Sequence, residues 1–323
     1  MQAAPLAPLV VFAYNRPHHL LECLKSLSEC ELASSSDLIV FSDGPKREGD
    51  RVAVERVRSV LKTVRGFKSL KVIERPNNFG LATSVITGVD EVLKVNGFAI
   101  IVEDDLILSP IFIKYMNDAL KFYKDDPRIF CVTAFNFRPE IFPIPESYRS
   151  DVIFAKRPAS TGFGTWRDRW EAVDWEVKDY QELLVSPDKI KVFEEAGKDS
   201  LWMLKKQMNG ELDSWAIRWS YHHAKNNGYC VYPRVSLLDN IGWDGSGVHC
   251  RPDFSGRYKN DLSIALKSYR LEAFSGKPDP LVQRSFEKIF KKDLFYYSKR
   301  AVEILKTKWI LLTTPKKHYA SHR

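Results

Sequence analysis

The sequence contains no run of eighteen apolar residues, so it offers no candidate for a membrane-spanning helix. It has five cysteines, Cys23, Cys30, Cys131, Cys230 and Cys250, widely spaced and without a CxxC pair. That scarcity argues against a disulfide framework or a thiolate zinc site and suits the reducing cytosol. The opening MQAAPLAPLVVFAYNRP lacks a basic region ahead of its apolar run, so a secretory signal is not expected. There is no internal repeat and no low-complexity segment. The first strand-like run is followed by neither GxGxxG nor GxxxxGK[ST]. A dinucleotide-dependent dehydrogenase or a P-loop NTPase needs glycines there to bring backbone amides onto phosphate, so neither class is expected.

Hydrophobic residues make up 44% of the 323 residues and charged residues 28%, which suits a globular chain and not a disordered one. The formal net charge of +8 is unevenly placed, because Leu281–Arg323 alone holds eleven Lys/Arg against three Asp/Glu. The other 280 residues carry 38 charges of each sign. A neutral body with a basic tail is not the pattern of a nucleic-acid binder.

Strand and helix patterns alternate through the first 105 residues. Leu9–Tyr14, Leu38–Ser42, Leu70–Glu74 and Phe98–Val102 are short and apolar, as strands buried on both faces are. Leu20, Leu24 and Leu27, then Val54, Val57 and Leu61, then Leu81, Val85, Val89 and Leu93 recur at helical spacing. This alternation predicts right-handed crossovers and an α/β fold with a mainly parallel sheet flanked by helices. A helix is expected at Ile111–Tyr123, strands at Ile129–Ala134 and Val152–Ala155, and helices near Pro187–Ala196 and Leu212–Asn226. Seven of the eight tryptophans fall between Trp166 and Trp243, and Gly242–Gly247 reads as a loop.

In a doubly wound sheet, ligands bind where the parallel strands end. The first strand runs into Asn15-Arg16-Pro17-His18 and the fourth into Glu103-Asp104-Asp105. Three carboxylates at the mouth of a buried strand repel one another and raise their own pKa values unless a cation is present. Oxygen ligands suit Mg²⁺ or Mn²⁺, which share their shell between one or two carboxylates and substrate phosphates. Continued strand geometry would send Glu103 and Asp105 to one side and Asp104 to the other. Asp105 is then the metal ligand, with Glu103 or Asp104 near ribose or sugar hydroxyls. The competing description is a solvated acidic turn.

FAYNRP, FSDGP, NNFGLATS and VEDDLILSP, followed by RPASTGFGTWRDRW, GELDSWAIRW and DNIGWDGSGVHC, resemble the GT-A glycosyltransferases. The motifs resemble most the inverting N-acetylglucosaminyltransferase I type and bacterial sugar transferases of surface-polysaccharide synthesis, over about residues 9–250. The resemblance implies a nucleotide-diphosphate sugar donor, UDP-linked in this reading, whose charge the cation neutralises. Ala13, Asn15, Arg16 and Asp43 match positions that hold the nucleobase and ribose, while Asn78 and Gly80 match a donor-side turn. Asp213 of LDSW matches the Asp of an Asp-x-Trp segment that serves as catalytic base, with Glu211 in reserve. Asp213 also fits a helix N-cap. His249 matches a late metal ligand. Gly164 and Trp166 of TGFGTW lie where the family binds acceptor, Trp166 as a stacking face for a pyranose.

In the tail, Val282, Phe286, Ile289, Leu294, Tyr297, Ala301, Ile304 and Trp309 form an approximate helical stripe among lysines. Such a helix fits an anionic membrane surface, and it fits equally a helix packed on the body with its charged face in water. The expectation is therefore a GT-A domain over residues 1–256, with a nucleotide-binding half at 1–108 and an acceptor half at 109–256. A basic amphipathic tail at 257–323 completes it. The expected activity is transfer of a sugar to a lipopolysaccharide, capsule or other glycan or lipid-linked acceptor hydroxyl. The place of action is the cytoplasm, at the inner membrane face. The competing readings are a nucleotidyltransferase, whose basic Gly-rich loop is missing, and a non-enzymatic binding module.

Overall fold

The computed structural model describes residues 5–246, 259–264 and 268–290. The first half alternates as its periodicity requires: β1 (Leu9–Ala13), α1 (Pro17–Ser28), β2 (Asp37–Ser42), α2 (Arg51–Thr63), β3 (Ser69–Glu74), α3 (Leu81–Asn96) and β4 (Phe98–Glu103). Helix α1 starts on Pro17, whose fixed φ suits a first turn, and buries Leu20, Cys23, Leu24 and Leu27 on one face. Helix α3 is bounded by two glycines at positive φ, Gly80 before it and Gly97 after it. The N–H of Gly97 closes the last turn onto the Leu93 carbonyl.

The second half comprises β5 (Leu106–Leu108), α4 (Phe112–Tyr123), β6 (Ile129–Thr133), β7 (Val152–Ala155), β8 (Phe163–Trp166) and α5 (Arg167–Glu171). It continues with α6 (Tyr180–Val185), α7 (Pro187–Glu194), α8 (Ser200–Met208), α9 (Trp215–Lys225), β9 (Tyr229–Pro233), β10 (Leu238–Asn240) and α10 (Pro280–Ile289). The main sheet runs in the order β3-β2-β1-β4-β8-β6-β9-β7. Strands β3, β2, β1 and β4 are mutually parallel, β8 is antiparallel to both β4 and β6, and β9 is parallel to β6. The result is a mainly parallel, mixed sheet flanked by helices, the GT-A arrangement. Edge strand β3 departs from the expectation of two buried faces, because no residue of it is buried.

One core layer lies under α1, α2 and α4. The other packs α3 and α9 on the opposite face, with Phe163, Trp170, Trp215 and Trp219 in mutual ring contact. Packing does not stop at the expected boundary at residue 256. Asn260 donates its backbone N–H to Asp239 at 2.7 Å, Phe274 lies against Phe154, and α10 inserts Val282 and Phe286 beside Phe142 and Tyr232. The first described part of the expected tail is thus an integral layer of the body, because its apolar stripe finds protein to cover it. Residues 291–323 lie outside the described residues, and no described helix is long and apolar enough to cross a membrane.

Candidate active site

The carboxyl ends of β1 and β4 are neighbours through their parallel pairing, which sets the segment Tyr14–Arg16 beside Glu103–Asp105. Strand β4 ends at Glu103, and Asp104-Asp105 form a turn into β5, so the two-residue alternation expected beyond Glu103 does not hold. Both aspartates instead converge on Arg16. Its Nη2 donates to Asp104, and its Nη1 stands 2.9 Å from Asp105 Oδ2. Asp104 and Asp105 are each 5% exposed. Burial, then repulsion from Asp105, pushes the Glu103 carboxyl well above the ordinary glutamate range. Burial raises Asp104 as well, against the pull of Arg16.

A third segment closes over this corner. Strand β10 pairs antiparallel with β5. The Ile241 N–H donates to the Asp105 carbonyl at 2.9 Å, and Asn240 Nδ2 lies 3.5 Å from Asp105 Oδ1. A Cβ on Gly242 would come within 2.0 Å of Asp105 Oδ2, so only glycine lets the backbone lie there. The carboxylate of Asp244, two residues on, meets Nε2 of His19 at 3.1 Å. Asn240, Gly242, Asp244 and His19 were not singled out from the sequence. The signal that could have found Gly242 is the DNIGWDG segment itself, whose glycine follows a short strand. Trp243, half-buried, stands in the same loop.

Asp43 has a structural part at the end of β2. Its carboxylate accepts from the N–H groups of Phe79, Gly80 and Gly44, fastening the turn after β3 to the end of β2. Asn78 joins this clasp by donating to the Gly44 carbonyl at 3.2 Å. Ala13 is buried at the end of β1 and accepts the Asp43 N–H at 2.9 Å, and Asn15 is half-buried just beyond it. Tyr14, between them, donates its hydroxyl to Asp50 at 2.8 Å.

Helix α9 brings Asp213 to this edge. A Cβ on Gly80 would lie 3.7 Å from Asp213 Oδ2. The N-cap of α9 is Ser214, whose Oγ accepts from the Ile217 N–H at 3.3 Å. The capping role that the sequence left open for Asp213 belongs to its neighbour, and the Asp213 side chain is exposed. Glu211 is exposed farther out, near Lys206 and Asn209.

The two acceptor-side residues are elsewhere. Trp166 pairs with Phe98 at the start of β4, whereas Phe163 pairs with Ile101 near its end. Antiparallel insertion of β8 thus carries Trp166 to the edge opposite Asp105, where it is buried under the Arg169 guanidinium. Gly164 is an interior packing position, since a Cβ there would press on Leu120, Met116 and the Ala99 carbonyl. A cavity of about 370 Å³ opens at that same far edge, lined by Phe130, Asp168, Arg169, Tyr221, His222 and Lys225 among others, and has no carboxylate of the strand-end cluster in its wall.

A divalent cation fits the near corner chemically. Two buried carboxylates there already require a positive charge, which the Arg16 guanidinium supplies. Among the described residues no three His, Cys, Asp or Glu side chains converge, so a cation would draw the rest of its shell from phosphate and water. His249 lies outside the described residues.

Residues 9–192, more than half of the chain, match the model of Glycosyl transferase family 2. The chain belongs to that family and has the GT-A fold. The match is to Glycosyl transferase family 2 and not to the N-acetylglucosaminyltransferase I type that the motifs resemble. Among solved structures the chain is similar to TarS of S. aureus, at 14% identity and a TM-score of 0.39, over 74% of this chain and 37% of that one. It is similar also to the 1-349 portion of S. aureus TarS, at 13% identity and a TM-score of 0.37, over 72% and 59% of the two chains. A third likeness is to the mannosyltransferase PcManGT from Pyrobaculum calidifontis, solved with GDP-Man and Mn2+, at 14% identity and a TM-score of 0.37 over 69% and 71%. The chain thus matches little more than a third of the TarS length.

Proposed function

We propose that this glycosyltransferase is metal-dependent and inverting, and that it moves a sugar from a nucleotide-diphosphate donor, UDP-linked in the first instance, to a hydroxyl of a glycan or lipid-linked acceptor. The observation that carries the reading is the meeting of Arg16, Asp104 and Asp105 at the ends of β1 and β4, with Asp213 delivered beside the Gly80 turn. Asp105 would hold Mn²⁺ or Mg²⁺, which supplies charge neutralisation to the leaving diphosphate. Arg16 adds positive charge on the same side. The Asp43 clasp holds the Asn78–Gly80 turn in a defined shape for the donor. An inverting transfer needs one carboxylate to take the proton of the attacking hydroxyl. Asp213 is the residue for that step: it is exposed to an incoming acceptor and released from capping by Ser214. With Trp166 remote, Trp243 is the aromatic assigned here to face a sugar, since it directly follows the glycine packed against Asp105.

The acceptor in this reading belongs to lipopolysaccharide or capsule assembly at the cytoplasmic face of the inner membrane, with the basic residues of 281–323 lending affinity for anionic lipid. Co-sedimentation with anionic vesicles, comparing the full chain with one ending at residue 290, tests the membrane part. Equal binding by both removes it. A screen of nucleotide sugars for hydrolysis and transfer, run with Mn²⁺ and with chelator, tests the rest. Turnover unaffected by chelator, or by Asp105→Asn, would overturn the metal-dependent reading.

A further inference from the structure

Arg16 donates to both strand-end aspartates from a largely buried position, its side chain 18% exposed. Such a fork meets two carboxylates with two coplanar nitrogens of one side chain, where lysine offers a single ammonium. The guanidinium Nη1 and the carboxylate Oδ2 of Asp105 share their space with Gly242, since a Cβ there would lie 3.1 Å from the first and 2.0 Å from the second. On its other oxygen, Asp105 faces Asn240 Nδ2 at 3.5 Å. A cation approaching Asp105 therefore meets a carboxylate closed in by backbone on one side, an amide on another and a guanidinium already paired with it.

We propose that Arg16 is an internal counter-cation that a divalent metal must displace from Asp105, so that metal and nucleoside diphosphate load together. The proposal rests on the reading of Asp105 as metal ligand and adds an order to its filling. Without a nucleotide, releasing Arg16 exchanges a charge-assisted pair for water, and metal binding is weakened by that loss. With a diphosphate present, the freed guanidinium gains an anionic partner of matching geometry. Each ligand then strengthens the other by the same factor, as linkage requires.

The test is Mn²⁺ binding to the full chain, read by the electron paramagnetic resonance signal of free Mn²⁺, with and without UDP. Wild type should bind Mn²⁺ weakly alone and much more tightly with UDP. Arg16→Lys keeps the positive charge but, with a shorter reach and one nitrogen in place of two, holds the two carboxylates less firmly. It should bind Mn²⁺ alone about tenfold tighter than wild type, and UDP should help it less. A gain in Arg16→Lys reports occlusion, because charge repulsion on the metal is unchanged. Nucleotide-free affinity within about twofold of wild type would overturn the proposal. Arg16→Gln should melt lower than wild type in chelator, with two buried carboxylates unpaired, and regain stability on adding Mn²⁺. No such recovery would count against it, and if this variant fails to fold, Arg16→Lys decides alone. Asp105→Asn separates the two levels. If it abolishes Mn²⁺ binding with UDP while Arg16→Lys behaves as wild type, the metal site stands and the counter-cation falls. If Asp105→Asn binds Mn²⁺ as wild type does, the metal site itself falls.

Discussion

Asp213 reaches the turn that opens α3, with its Oδ2 3.7 Å from where a Cβ of Gly80 would stand. The approach links the start of helix α9 to the turn fastened by Asp43, so a residue 133 positions farther along the chain sits beside that turn. Because Ser214 caps α9, Asp213 can be changed without loosening the helix start. Asp213→Asn should lower kcat by about 10²- to 10⁴-fold while leaving donor affinity intact, the range ascribed to a positioned general base. Ser214→Ala should do the reverse, lowering stability by about 1 kcal/mol with little effect on kcat. Parallel kinetics and thermal melts check both; an active Asp213→Asn would move the role to Glu211.

Gly242 offers a steric test of the corner. Its absent Cβ would stand 2.0 Å from Asp105 Oδ2, so Gly242→Ala must push apart β10 and the Asp104-Asp105 turn. The expected outcome is a protein that still folds but loses Mn²⁺-supported transfer by about tenfold or more. Full activity at ordinary Mn²⁺ would show that the loop moves away from Asp105 during turnover.

The tryptophans divide by position. Trp219 is fully buried in the layer under α9, and Trp219→Ala should cost about 3–5 kcal/mol in denaturant unfolding. Trp166, at the far edge, should behave as a packing residue too. Trp166→Phe is expected to leave acceptor KM and kcat within about twofold of wild type, since no sugar contact is lost. A tenfold rise in acceptor KM would return it to the acceptor site.

Acid should destabilise the fold through α9. Burial, then Lys225, holds His222 down at about 4 against 6.5 in the open chain, and burial holds His223 well below 6.5. His223 lies between the Trp219 and Phe130 rings with neither ring nitrogen bonded, while Asp168, Asp174, Asp179, Arg169 and Arg218 line the cavity beside His222. Both imidazoles are neutral in the native state and charge readily in the unfolded one. The stability that these two histidines govern is therefore whole above about pH 6.5 and falls toward pH 4, by up to about 1.4 kcal/mol per pH unit for each. Urea midpoints measured at pH 7.5 and 5 should show a smaller fall for His223→Leu than for wild type.

The alternation of strands and helices was legible because each parallel strand, buried on both faces, must be apolar throughout, and each covering helix must repeat its apolar residues every turn. Leu9–Ala13, Phe98–Glu103 and Val152–Ala155 stand within a residue of their expected bounds for that reason. The carboxylates and Arg16 were legible as strand-end residues, since a doubly wound sheet makes its site there. Strand β8 was not. Its Phe-Gly-Thr-Trp is too short for a period, and antiparallel insertion between β4 and β6 is a non-local choice. That choice alone sends Trp166 to one edge and Phe163 to the other.

Local pattern along the chain was thus enough to determine the alternating elements of the first half, the class of fold and the acidic corner at the end of β4, because burial of a strand and amphipathicity of a helix are written in consecutive residues. Tertiary structure decided that Arg16 bridges Asp104 and Asp105, that Gly242 closes over them, that Ser214 and not Asp213 caps α9, and that the start of the basic tail packs as α10. Each of these depends on which distant segments are brought within a few ångströms, and such distances follow from the packing of the whole sheet and its helices, not from the spacing of residues along any one of them.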